Sequence, residues 1–231
     1  MSILRKKLEV KNRFPDIRVV ESLSSKTSSW LSSIPFYRDF EKVYKNRNDV
    51  LKNSNSWKCP AGEAPITIRT CPGIRDLFNN SVLVKWPVDF IIHNNNGEIS
   101  WNCPDANLIR VSHHPAHQYE SENFNFINFK VTLPVAITSN KPLNIVFLQP
   151  FYHNQNNLDV ALPPGVVSVM PSVDFELTIN FMLPNTPKSY YFKKDEAIAY
   201  LYATEPFKLV NSDNQIRPYR RTKFFDDVKD K

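Results

Sequence analysis

Glycine is scarce in this chain, with only 4 residues in 231. That excludes a phosphate-cradling loop, which needs several glycines close together, and no strand-turn-helix nucleophile elbow of the G-x-S-x-G type occurs. Cysteine is also scarce. The 3 cysteines, Cys59, Cys71 and Cys103, are each followed by proline. An odd count without a C-x-x-C spacing argues against both a disulfide framework and a zinc site, so reduced and mostly buried thiols are expected. No apolar run approaches the ~18 residues that a membrane helix needs. The first residues carry no apolar h-region, so a cytoplasmic or virion-associated protein without membrane contact is expected.

What is abundant is proline, at 18 residues, together with asparagine in runs such as HNNNG at 93–97. Many prolines and asparagines with few glycines indicate strands joined by Pro- and Asn-built turns. Net charge is +6, and the excess gathers in MSILRKKLEVKNR at the start and RPYRRTK near the end. Solvated tails are the first reading of these ends. Binding of an acidic partner is the second, and nucleic acid ranks below protein because no arginine-rich run is long. Heavy Asn and Lys usage fits an AT-rich genome such as that of a bacteriophage.

Along the chain, residues 1–33 read as an extended arm, because SLSSKTSSWLSS is poor in core formers. Residues 34–56 read as one amphipathic helix, with Ser33 as cap, Pro35 in the first turn and Phe36, Phe40, Val43 and Leu51 near helical spacing. From 57 to 210 the period changes to two. Phe129, Val131, Leu133, Val135 and Ile137 alternate, as do Phe175, Leu177, Ile179, Phe181 and Leu183. Segments 66–71, 81–92, 143–151, 189–192, 197–203 and 207–210 complete the set of strands, and LPPG at 162–165 is expected to make a hairpin turn. Strands at this spacing without helices between them indicate a mainly β fold, a β-sandwich or jelly-roll or a β-clip-like barrel. Residues 211–231 read as a charged tail.

The densest chemistry is VSHHPAHQYE at 111–120, with three of the 5 histidines. His114, His117 and Gln118, together with the distant His153, form the candidate ligand site; Glu120 or Asp159 would supply a carboxylate to a metal-dependent, cupin-like oxygenase. Against that, Pro115 interrupts the strand and His113 and His114, being neighbours, face opposite ways in a strand. A polar turn is the simpler reading, with no metal or other cofactor expected. Trp57, Trp86 and Trp101 lie in strand-like segments without basic residues interleaved, which favours packing over a nucleic-acid platform.

PPGVVSVMPSVDFELTINFMLPN at 163–185 followed by SYYFKKDEAIAYLYATEPF at 189–207 resembles the closing strands of the dUTPase and dCTP deaminase superfamily. GVVS at 165–168 stands for that family's turn, and FKKDEAIAYLY at 192–202 for its last strand motif. CPGIRDLF at 71–78, with the following VLVKWPVDFII, is similar to its opening strands. The resemblance implies a compact β-barrel-like fold, trimeric in that family. It does not carry catalysis over, because Ser168 replaces the turn's Asp and Tyr200 a Gln. The order of these segments is similar also to that of phage and bacterial β proteins without assigned activity. The expectation is therefore a non-catalytic, phage-encoded structural or interaction protein that uses its β core for assembly or for binding a protein partner, itself or a virion or host component. A degenerate nucleotide-binding relative of the superfamily is the further alternative.

Overall fold

The computed structural model describes residues 6–14, 16–23, 72–113, 126–151, 153, 157 and 159–212. They form thirteen strands and one short helix: β1 (Lys6–Asn12), β2 (Val20–Ser22), α1 (Pro72–Asn79), β3 (Ser81–Lys85), β4 (Phe90–Asn95), β5 (Glu98–Asn102), β6 (Arg110–His113), β7 (Phe126–Ser139), β8 (Leu143–Leu148), β9 (Gly165–Val169), β10 (Phe175–Pro184), β11 (Lys188–Phe192), β12 (Ala197–Ala203) and β13 (Phe207–Ser212). The mainly β reading of the sequence holds.

The strands make three open sheets. Sheet A runs β10-β7-β1-β13, with β6 also on β7; sheet B runs β2-β3-β12-β8-β9; sheet C runs β11-β4-β5. Among the described residues no sheet closes on itself, so the barrel alternative is corrected. The physical reason is that each ladder ends on an edge strand instead of returning to its first strand.

Long strand β7 organises sheet A. One of its edges pairs with β10 over nearly its whole length, while β6 and then β1 share the other edge. Pro134 sits mid-strand, where a proline would normally remove a ladder hydrogen bond. Here the β10 register shifts between Glu176 and Thr178, and Pro134 falls within that irregularity. Its carbonyl still accepts from the Arg13 amide at 2.9 Å.

One continuous core joins the three sheets. Leu8, Val10, Phe129, Val131, Leu177 and Ile179 come from sheet A; Val82, Val84, Ile145 and Leu201 from sheet B; Phe90, Ile92, Tyr190 and Phe192 from sheet C. Trp86, just after β3, is the hinge of this packing. Its ring lies 5.1 Å from Phe90, 4.8 Å from Phe192 and 5.8 Å from Phe181, centroid to centroid. Phe181 in turn stacks on Phe129 at 5.1 Å. Aromatic pairs at these distances add to the hydrophobic gain of burying such large rings.

A second, smaller cluster lies on the other face of sheet B, where Leu23, Leu83, Ala197 and Tyr200 meet Phe78, Ile74 and Leu77 of α1. Pro72 suits the first helical turn, and Ile74, Leu77 and Phe78 fall at i, i+3 and i+4, so one stripe is apolar. Residues Pro72–Asn79 are therefore helix, immediately before β3.

Three expectations about segments also change. Residues 6–12 and 20–22, expected within an extended arm, are strands β1 and β2, and Leu8, Val10, Val19, Val20 and Leu23 are buried. Lys7 and Lys11, part of what made the start read as a basic tail, alternate with Leu8 and Val10, so they are on the outer face of a strand. LPPG is not a tight hairpin; it is the exit of the 149–164 connection into β9, and GVVS is strand, not turn. Strand β13 runs two residues past the expected boundary at 210, to Ser212. The expected helix at 34–56, segment 66–71 and the tail from 213 lie outside the described residues.

Candidate functional site

Sheet A turns an alternating polar face away from the core. Register places Lys7 opposite Lys208, Glu9 opposite Val210 and Thr138, and Lys11 opposite Ala136 and Ser212. Further along, Arg110 and Thr178 flank Thr132, and Ser112 and Asn180 flank Lys130. Lys7, Lys130 and Lys208 have no carboxylate partner among the described residues. Lys7 and Lys208 therefore face each other as like charges across a parallel pair, an arrangement that costs stability unless an anion offsets it.

Two clefts open on this face. The first, of about 680 Å³, is lined by Lys7, Glu9, Lys11, Asn140, Ser172 and Asn211 among others. Its floor is fixed by Lys11, whose Nζ donates to Asp174 Oδ1 at 2.7 Å, with both side chains largely buried. Ser172, on the wall, adopts a left-handed φ of 63°.

The second cleft, of about 410 Å³, is lined by Arg13, Trp101, Arg110, Thr132, Pro134 and Glu176, with 106–109 as one wall. Arg13 Nη2 donates to Glu176 Oε1 at 3.2 Å, and Arg110 Nη2 donates to Glu176 Oε2 at 3.0 Å. The guanidinium side chains remain 50% and 68% exposed, so most of their donors face solvent. Trp101, from edge strand β5, is 44% exposed. The 103–109 wall is held by local bonds: the Asp105 side chain accepts from the Asn107 amide at 2.9 Å, and the Cys103 thiol donates to the Asp105 carbonyl at 3.1 Å. Burial, aided by the nearby Asp105 carboxylate, pushes the Cys103 thiol up from its ordinary pKa. Cys103 is a free thiol, as the sequence implied.

Of the residues expected to form a ligand site, His153 is described. Its Nδ1 shares a 2.6 Å hydrogen bond with Tyr200 Oη, and the two rings meet edge to face at 5.5 Å. Burial lowers the His153 pKa to about 4, with the Glu21 carboxylate opposing and the Lys85 ammonium adding to the shift. A neutral imidazole is a natural acceptor for the phenol proton, so this pair behaves as a buried polar contact of sheet B. His114, His117 and Gln118 lie outside the described residues; His113 ends β6, paired with Phe129. Among the described residues no group of three or more His, Cys, Asp or Glu side chains is placed to hold a metal.

Elsewhere, Lys188 bridges Asp159 and lies 4.9 Å over the Tyr190 ring. Burial, with the Asp159 carboxylate beside it, pushes the Tyr190 phenol up to about 12.

The second cleft was not legible as a site. Its residues come from the end of β1 at Arg13 and from β5, β6, β7, β10 and the 106–109 connection, and no two of its charged groups are close in sequence. The only local signal is alternation of charge with core residues in 7–13. Compared with family models, curated proteins and solved structures, the chain shows no match.

Proposed function

We propose that this chain is a non-catalytic structural or interaction protein that binds an acidic partner, a protein in the first instance, on the outer face of sheet A. The observation that carries the reading is the pair Lys7 and Lys208, set opposite each other without a carboxylate partner among the described residues, with Lys7 lining an open cleft. Exposed cations held in that arrangement are favoured when an anionic surface arrives, through attraction and steering.

In the same reading sheets A and B are the two layers of a sandwich-like fold across the shared core, and sheet C caps one end. A bacteriophage origin, with the protein in the virion, fits the composition; mass spectrometry of purified virions tests that part.

The binding face is tested by retention on a heparin column as a polyanion probe. K7E/K208E is compared with K193E/K194E, an equal charge change at exposed lysines of the β11–β12 turn. The sheet A variant elutes at clearly lower salt than the control. Equal elution of the two variants overturns the assignment of the face.

A further inference from the structure

The fold brings together what the sequence keeps apart. Trp101 has no basic neighbour within EISWN, yet it lines one cleft with Arg13 and Arg110. An exposed indole beside two guanidiniums is the pairing that takes a flat ring and an attached anion at once. We propose that this cleft binds a nucleotide unit, with the base stacked on Trp101 and the phosphate held by Arg110 and Arg13. The inference rests on sheet A's outer face being a binding surface and names the ligand of one part of it.

Size and chemistry agree. About 410 Å³ accommodates one nucleotide unit and little more. Arg110 and Arg13 each use one nitrogen on Glu176, which leaves other N–H groups of each fork for phosphate oxygens. Thr132 lines the cleft beside Arg110, and its hydroxyl is linked to that of Thr178 at 3.0 Å, which leaves one O–H of the pair to donate. Glu176 is the opposing charge. It positions both guanidiniums in the empty cleft and competes with the phosphate when ligand arrives. Removal of its charge therefore separates this proposal from a purely structural Arg–Glu–Arg bridge.

The test is fluorescence anisotropy of a labelled oligothymidylate of about 12 nucleotides, within the span of one single-strand site, at low and high salt, with thymidine monophosphate as competitor and as a direct ligand in a Trp-fluorescence titration. Trp101→Ala and Arg110→Ala each weaken binding roughly five- to a hundredfold, the range for losing one stacked base. Trp101→Phe restores most of the loss, and Glu176→Gln tightens binding. Competition by the monophosphate assigns the cleft to free nucleotides as well as strands; binding of the oligonucleotide alone assigns it to strands. No binding of either probe at low salt overturns the proposal, as does binding that Trp101→Ala and Arg110→Ala leave unchanged. Trp101 and Arg110 are exposed, so both variants keep the wild-type thermal midpoint, and a fall in it is checked alongside. If K7E/K208E alone alters heparin retention and neither nucleotide probe binds, this inference fails while the sheet A face stands.

Discussion

Lowering the pH from 7 to 5 should destabilise this protein through one identifiable side chain, His153. Burial holds its folded pKa at about 4, against 6.5 for the free side chain. Between those values the unfolded chain binds a proton that the folded chain refuses, so stability rises with pH across that window. The neutral imidazole carries no penalty above pH 6.5. The penalty grows as pH falls below 6.5 and levels off below about 4. Linkage gives a loss of about 2 kcal/mol at pH 5 and about 3 kcal/mol at full development. Carboxylates titrate over part of the same range, so the decisive quantity is a difference of differences. Urea unfolding of wild type and His153→Gln is measured at pH 7 and pH 5. Glutamine cannot take up a proton, so the variant loses about 2 kcal/mol less than wild type over that interval. Equal losses in the two proteins refute the reasoning, because they would mean that His153 protonates as easily folded as unfolded.

Trp86→Ala removes the ring shared by all three sheets and costs roughly 3–5 kcal/mol, read as a fall in thermal midpoint of roughly 10 °C by calorimetry. Lys11→Met removes the ammonium that bonds the buried Asp174 carboxylate and lowers the denaturant midpoint; an unchanged midpoint would show that this ion pair adds nothing net to stability. Gly97→Ala acts on the β4–β5 turn, where Asn96 and Gly97 have φ of 51° and 100°, and lowers stability by about 1 kcal/mol. Asn94 ties the same turn to the β10–β11 connection, donating to the carbonyls of Pro184 and Thr186 at 2.8 and 3.0 Å. Asn94→Leu thus costs more than Gly97→Ala in the same assay, since it removes the side-chain donor to the Pro184 and Thr186 carbonyls and the Oδ1 that accepts from the Gly97 amide at 3.0 Å.

Strands with one core face and one polar face were readable directly. Phe129 to Ile137 and Leu177 to Leu183 alternate as the register requires, because a period of two is forced wherever one face is buried. The same rule was present but hidden in β1, where Leu8 and Val10 stand between lysines and the following Ser-rich stretch dominates the average. Helix α1 was short enough for its apolar triplet, Ile74, Leu77 and Phe78, to pass as part of a strand run. The candidate cleft was not readable, since Arg13, Arg110 and Glu176 meet through pairings of β7 with three other strands, and Trp101 reaches the same cleft from β5 of a different sheet. His153 was singled out from the sequence for metal chemistry. The fold instead gives it Tyr200, a neighbour 47 residues away that no spacing rule would select.

Strand β1 lies between β7 and β13, parallel to the latter, and Lys6 bonds Glu205 across 199 residues of sequence. This gives the fold a timetable. During synthesis β1 emerges first among the described strands, yet its second neighbour emerges last, so one edge of β1 stays bare until then. Closing so long a loop is entropically slow and joins the rate-limiting part of folding. The lysines of β1, exposed throughout that wait, would keep the unpaired edge from meeting another chain. The charges that decorate the finished sheet are, in that sense, the guard of an unfinished one.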